Sequence, residues 1–408
     1  MIDLQIIGKT SYGGKIFSLE ADKFFEIPAL RCVISTGKIK KREVNIEEAI
    51  DYFNKNPLEA KKLVERVYSK YRHQSIGEFS TLGIYLKDTS RLFNFVGWIP
   101  IGAPRGVQGV GTEKSLRRTR PRNYVEVNPK LNFFNENAFQ TYQELVNSKL
   151  PEEDARYVLP LSTKSEEIMQ IPLGRELGKW SNYLMRLPFK ETREVGKALY
   201  FWNYEMTGIR VEEIPSDENF MPLKSEEKSF SRKIMETKLK SGDAYYDTLT
   251  ETLVMRIKGS IASFHQEVRD RQELLRWPSW EEVVFNDKCI IPRRLKKRAR
   301  TLGDVYDHSY IVAGTMWKEG NYEAAVLCQP LGKEMDVIST IHGRANIKYT
   351  FMLRTCLKAQ EEIRERFLKV AKKVEKNFGE KLGPRCETEG ICYEWGKEKC
   401  EKFKKIFA

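Results

Sequence analysis

Nowhere in this sequence do apolar residues run for the roughly 18 positions that a membrane-spanning helix needs. The first residues, Met1-Ile2-Asp3-Leu4-Gln5, also lack the basic and then apolar stretch of a secretory leader. A cytoplasmic address without a membrane partner is the expectation. Cysteine is sparse and odd in number, seven in 408 residues. That excludes a fully paired disulfide framework and suits buried thiols in a reducing compartment. Histidine is rarer still, four in all. None lies near Cys386, Cys392 and Cys400, whose spacing does not form a CxxC knuckle, so no metal site is expected.

What is present is enough apolar material, 41% of residues with 11% aromatic, to pack a core across two ordinary domains. Lys and Arg outnumber Asp and Glu by 70 to 57, a net charge of +13. The surface field therefore favours anionic partners, phosphorylated metabolites and nucleic acid alike. Arg105, Lys114, Arg117, Arg118, Arg120 and Arg122 form one basic cluster, and the run from Arg293 to Arg300 forms another. The run reads either as a solvated helical face or mobile loop, or as a phosphate or nucleic-acid contact.

Apolar residues recurring at three and four positions predict long helices over Ile46 to Tyr71, Ala138 to Ser148, Thr192 to Tyr204 and Ile347 to Phe378. Shorter β-prone segments lie at Gln5 to Ile7, Ala29 to Ser35, Phe79 to Leu86 and Thr250 to Ile257, which gives an α+β class. Pro215 to Ser231 is aperiodic and polar, the natural linker. Either side of it the sequence repeats. Leu159-Pro160-Leu161, Arg175, Leu184-Met185-Arg186 and Glu194 match Gln329-Pro330-Leu331, Arg344, Met352-Leu353-Arg354 and Glu362, at offsets of 170, 169, 168 and 168. The expectation is a duplicated chain with domains 1–216 and 218–408. Each would be a small β-sheet with long helices, related by a pseudo-twofold axis with a cleft between them.

The chemistry-bearing residues fall in short motifs. The first half has His73-Gln74-Ser75-Ile76-Gly77-Glu78, and later Ala155-Arg156-Tyr157-Val158-Leu159-Pro160. By itself His73 reads as a capped or core histidine. The second half has Gln266-Glu267-Val268-Arg269-Asp270-Arg271, then Arg344, then Leu353-Arg354 followed by Ala359-Gln360-Glu361-Glu362-Ile363-Arg364. Individually, the side chains of that last stretch read as helix packing with Glu/Arg surface pairs.

Together these segments resemble the flavin-dependent thymidylate synthases, the ThyX family, with its His-x-Ser/Thr-x-x-Glu, Ala-Arg-x-Val-Leu-Pro, Gln-x-x-Arg-His-Arg and Leu-Arg-x4-Ala-Gln-x-Glu-Ile-Arg patterns. The resemblance implies that His73 and Ser75 lie against FAD and that Arg156 holds the nucleotide. It implies that Gln266 and Arg269 reach the nucleotide, while Arg269, Asp270 and Arg271 pack on the flavin. Arg344 falls where relatives place an arginine near the nucleotide, and the repeat makes Arg175 its counterpart. Cys386, with Cys392 and Cys400, is similar to a cysteine-bearing tail of some members.

The departures are complementary. Asp270 replaces the central histidine of Arg-His-Arg, and the first half has Gly97-Trp98-Ile99-Pro100-Ile101-Gly102 at that place. The second half reads Gly242-Asp243-Ala244-Tyr245-Tyr246 where His-x-Ser would lie, and Ala325-Val326-Leu327-Cys328-Gln329-Pro330 where the Arg156 motif would lie. In the ThyX family the site lies between subunits, so two fused copies can each keep one side of it. A composite site follows, with His73, Ser75, Arg156 and the loop Ser115 to Tyr124, including Arg122, from the first half. Gln266, Arg269, Arg271 and Arg344 come from the second. The glycine-rich approach Gly106 to Gly111 is either a mobile phosphate-binding lid or a flexible surface loop.

The reaction implied is reductive methylation of dUMP at C5, with a reduced folate giving the methylene and NADPH the hydride through FAD. Arg269 and Arg344 would polarise the uracil. Because Asp270 puts a carboxylate beside the flavin, two alternatives stay open. One is a related C5 modification, such as hydroxymethylation, of another pyrimidine, free or in nucleic acid; the other is a non-catalytic nucleotide-binding protein. Since ThyX enzymes are homotetramers, a homodimer of the tandem chain is expected.

Overall fold

The computed structural model describes residues 3–20, 29–30, 33, 38–39, 42–44, 46–71, 81–103, 106–113, 115–116, 119–121, 123–208, 210–216, 220–268 and 272–390. They fall into two compact units, each mixing helices with an antiparallel sheet, as an α+β chain should. The first comprises Met1–Lys114, Pro121–Val125 and Thr163–Ser216, and the second Ser115–Arg120, Glu126–Ser162 and Asp217–Ala408. Residues 126–162 go with the second because helix α4 (Asn132–Asn147) packs on α11 (Ala299–Lys318).

The first unit holds β1 (Asp3–Lys9), β2 (Lys15–Glu20), β5 (Thr81–Ser90), β6 (Val110–Glu113) and β7 (Lys164–Pro172) in the order β1-β2-β5-β7-β6. A separate ladder joins β3 (Lys38–Ile39) to β4 (Arg42–Glu43). Along β5 the two-residue period sends Leu82, Ile84 and Leu86 to one buried face. Helices α6 (Arg175–Arg186) and α7 (Lys190–Thr207) pack together, and α7 lies on β1, where Gly8 leaves room for Ala198.

The helix expected from Ile46 to Tyr71 is two, α1 (Ile46–Lys55) and α2 (Pro57–Tyr71). Pro57 has no N–H and pushes Asn56 out of helical geometry. The strand expected at Ala29 to Ser35 is corrected as well. Ala29, Leu30 and Val33 are helical, and their spacing puts them on one face against Phe53 and Val64.

The second unit holds β8 (Ala244–Asp247), β9 (Thr252–Ser260), β10 (Glu273–Arg276) and β11 (Glu334–His342), ordered β10-β11-β9-β8. Its helices include α5 (Glu152–Ala155), α8 (Phe230–Lys238), α9 (Ile261–Glu267), α10 (Trp280–Phe285), α12 (Tyr322–Leu327), α13 (Arg344–Arg354), α14 (Glu361–Phe378) and α15 (Arg385–Thr388). The expected helix Ile347 to Phe378 thus breaks between α13 and α14. Among the described residues no helix is long and apolar enough to cross a membrane, and no cluster of His, Cys, Asp and Glu could hold a metal.

One device occurs in both units. In the first, Ser90 ends β5, caps α3 (Arg91–Trp98), and gives its N–H and hydroxyl to Glu191 in the second position of α7. In the second, Ser260 ends β9, caps α9, and gives N–H and Oγ, each at 2.6 Å, to Glu362 in the second position of α14. Gly174 and Gly343, with φ of 70° and 84°, precede α6 and α13 in a region open to glycine. In this device Glu191 stands as Glu362 does, while Glu194 accepts from Ser11 N–H at 2.8 Å. The linker before α14 spans 355–360, three residues more than 187–189 before α7, and the longer linker shifts the offset.

Within the first unit's core, Trp98 Nε1 donates to Glu167 Oε2 at 2.8 Å. Burial pushes the Glu167 carboxyl up to about 7, against the pull of Trp98 and Arg91. Its folded value lies above the ordinary 4.5, so the protonated form favours the fold. That contribution is full below about pH 4.5 and is lost as pH rises through about 7. Glu167→Gln keeps the acceptor without the charge. Melting followed against pH should show little change in acid and a gain of a few degrees at about pH 8; a loss of stability at about pH 8 would contradict this account.

Candidate functional site

The 3-10 turn Arg156–Val158 follows α5 and leads into Leu159-Pro160-Leu161. That segment crosses Gln329-Pro330-Leu331 antiparallel. Leu161 N–H donates to Gln329 O at 2.9 Å, and Leu331 N–H donates to Leu159 O at 2.8 Å. The two copies of the repeated motif thus bond each other reciprocally about their prolines, which have no N–H to satisfy. Gly332 N–H continues the ladder to Tyr157 O at 2.8 Å. A Cβ on Gly332 would lie 3.0 Å from that same oxygen, so the approach needs glycine.

This crossing sets Arg156 and Tyr157 against the start of α14. Arg156 Nη2 donates to Gln360 Oε1 at 2.8 Å, and Gln266 Nε2 donates to the same oxygen at 2.6 Å. Arg156 Nε also donates to Glu153 O at 3.2 Å. Gln360 Nε2 donates to Tyr157 Oη, which donates to Glu362 Oε2 at 2.5 Å. Arg156, Tyr157 and Gln360 are buried, and Gln266 in the last turn of α9 is half-buried. Burial, reinforced by Glu362, raises the Tyr157 hydroxyl well above its ordinary range, so it stays protonated and keeps donating.

Beneath the cluster, half-buried Arg366 of α14 pairs with buried Glu267 of α9. The guanidinium lies 4.8 Å from the Phe264 ring centre and donates to Lys258 O at 3.2 Å, which fixes α14 on α9. Burial pulls Arg366 downward, yet a paired guanidinium stays charged at neutral pH. At the rim, exposed Arg294 lies 3.6 Å from Asp154 and exposed Arg293 3.9 Å from Glu361. Part of the basic run therefore borders the cluster, where its field favours an incoming anion. The arrangement offers a permanent cation and a carboxamide donor converging on one point, suited to holding a planar, anionic, hydrogen-bonding ligand.

Arg156 and Gln266, assigned to opposite halves, are thus brought together. Arg344 is not brought to them. Thr252 pairs with His342 and Ser260 with Glu334, so the starts of α9 and α13 lie at opposite ends of nine-residue strands. That is roughly 25 Å at about 3.3 Å per residue. Arg344 donates to Glu380 Oε1 at 2.6 Å and stacks 4.3 Å from the Phe378 ring centre. Arg175, in the first unit, makes a two-pronged pair with Glu213 at 2.7 and 2.9 Å. His73, Ser75, Arg122, Arg269, Asp270, Arg271, Cys392 and Cys400 lie outside the described residues. Tyr157 and Gln360 were not singled out from sequence. Their signal was faint, two polar residues inside the Arg156 and Ala-Gln motifs that the helical pattern absorbs.

Residues 113–199, which include Arg156, match the family model described as Thymidylate synthase complementing protein. No curated protein matches the chain. Among solved structures, the chain is similar to thymidylate synthase X from Helicobacter pylori with FAD and dUMP. They share 19% identity over 43% of this chain and 88% of that one, with a TM-score of 0.33. A second structure of the Helicobacter pylori enzyme with FAD and dUMP is 19% identical over 46% and 96% of the two chains, TM-score 0.34. The UMP/dUMP methylase PolB from Streptomyces cacaoi, bound with 5-Br dUMP, is 13% identical over 48% and 93%, TM-score 0.34. The segment that carries Arg156 and Tyr157 thus matches the model of the thymidylate synthase complementing protein family, the ThyX family that the motifs resemble.

Proposed function

We propose that the chain binds a pyrimidine monophosphate such as dUMP at the Arg156–Gln266 cluster and methylates it reductively at C5. A reduced folate would give the methylene and NADPH the hydride, through FAD. The observation that carries this reading is the shared acceptor. Arg156 and Gln266, two of the described residues that the resemblance gives to the nucleotide, donate to the same Gln360 oxygen. A ligand acceptor reaching that point would meet a charged donor and a neutral one, as a uracil carbonyl or a phosphate oxygen requires.

Gln266 is followed, past the Val268 cap of α9, by the signature Arg269-Asp270-Arg271. With His73 and Ser75 these residues would hold FAD, and bound flavin would supply hydride transfer there. The chain's own part is to bind and orient: Arg156 counters the nucleotide's charge and Gln266 fixes its plane.

The duplication belongs to the same reading. Support comes from the paired Ser–Glu caps, the glycines before α6 and α13, and the reciprocal bonding of the repeated Pro160 and Pro330 segments. On this view the chain is two copies, about 1–216 and 218–408, the first of which lends residues 126–162 to the other's compact unit. Arg344 and Arg175, paired here with Glu380 and Glu213, would then exchange these partners for nucleotide in a second chain, and a homodimer is the proposed assembly.

Two outcomes are expected. First, Arg156→Ala and Gln266→Ala should each weaken dUMP binding in calorimetry, the arginine variant about ten- to hundredfold. Because both touch one ligand, the double variant should depart from additivity; strictly independent effects would separate the two residues into different sites. Second, purified protein should show the visible absorption of oxidised flavin or gain it on titration with FAD. A chain that stays colourless and takes up no FAD would leave nucleotide binding without the redox reaction.

A further inference from the structure

Gln360 goes beyond the residues that the resemblance assigns to the nucleotide, and its place in the cluster is specific. Both acceptor directions of Oε1 are used, by Arg156 and Gln266, and its Nε2 donates to Tyr157. Tyr157 must then donate onward to Glu362, and Glu362, accepting from Ser260 as well, closes the chain. This one-way series fixes the carboxamide with its oxygen toward the arginine. It orients the guanidinium without cancelling its charge, as a carboxylate would.

The counterpart positions, two in each half of the sequence, show what the repeated segments look like without that task. Arg156, Tyr157 and Gln266 correspond, at an offset of 170, to Val326, Leu327 and Val96. Gln360 precedes α14 as Phe189 precedes α7, each one residue ahead of the helix whose second position holds the serine-binding glutamate. All four counterparts are apolar and buried. The caps Ser90 and Ser260 are kept in both places, so the fold is met by the apolar set. Burying the polar set costs free energy unless every group is partnered. Such a set is retained only where something uses it.

We propose that Gln360 is a positioning residue that aims Arg156 and Gln266 at a nucleotide anion, and that each chain carries one such site and not two. The proposal rests on the pyrimidine-nucleotide reading above. Its test is titration of the full chain with dUMP and with uncharged deoxyuridine, for wild type, Gln360→Leu, Gln360→Ala and Gln360→Glu, alongside melting temperatures. Wild type should saturate at one dUMP per chain. Gln360→Leu, of similar volume, should weaken both ligands about tenfold. Gln360→Glu should melt near wild type yet lose most of the preference for dUMP over deoxyuridine, because the new carboxylate neutralises Arg156. A merely structural Gln360 would move melting and leave that preference intact, which would overturn the proposal. Saturation at two dUMP per chain would overturn it, as would tighter binding by Gln360→Ala, which would show that Gln360 only occupies the ligand's place. Wild-type protein that binds dUMP while the Gln360 variants behave like it would refute this proposal and spare the nucleotide reading. No dUMP binding by wild type would remove both.

Discussion

The crossing of Leu159-Pro160-Leu161 over Gln329-Pro330-Leu331 decides where the polar chemistry of this chain can assemble. Two extended segments exchange N–H bonds in both directions, and the prolines at the crossing point leave no donor unmet. Because the ladder continues from Gly332 to Tyr157, the residue before it, Arg156, has little freedom in where it emerges. Its guanidinium must meet the first turn of α14, and there Gln360 is waiting. A register slip of one residue in the crossing would send Arg156 and Tyr157 to opposite faces.

Around that point the second unit maintains a costly concentration of buried polar groups. Glu267 and Arg366 neutralise each other under the cluster, while Glu362 is held by a backbone N–H and two hydroxyls. Buried ion pairs of this kind add little net stability and are strongly destabilising when one partner is removed. They do confine α9 and α14 to one relative placement. The matching helices of the first unit share the serine–glutamate cap but surround it with Phe93, Phe95, Val96 and Phe189. Where the second unit places Gln266 and Gln360, the first has the buried apolar residues Val96 and Phe189.

Much of this was legible in the residues. The α+β class followed from periodicity, and Arg156 and Gln266, which the resemblance to the ThyX family gives to the nucleotide, do converge. Other features were hidden for physical reasons. The interior strand β7 read weakly because it opens on four polar or charged residues, Lys164-Ser165-Glu166-Glu167, before its first apolar one. Pro57 divides a helix whose apolar spacing continues across it. The three-residue difference between the linkers before α7 and α14 drew the repeat onto Glu194, although it is Glu191 that the helix-capping Ser90 reaches. Gln360 is invisible to any pattern of period 3.6, since it stands just outside its helix and works through residues 94 and 204 positions away.

The allocation of residues 126–162 to the second unit has a consequence in time as well as in space. Helix α4 buries Phe134, Ala138, Tyr142 and Leu145, and the helix it packs on, α11, is encoded at Ala299–Lys318. During synthesis at roughly 5–20 residues per second, α4 is therefore made on the order of ten seconds before its partner exists. Its apolar stripe has to wait, exposed or held by transient contacts, while the first unit, whose last residue is Ser216, is completed. The second unit closes only when the later half of the chain arrives to claim a segment that the ribosome delivered long before.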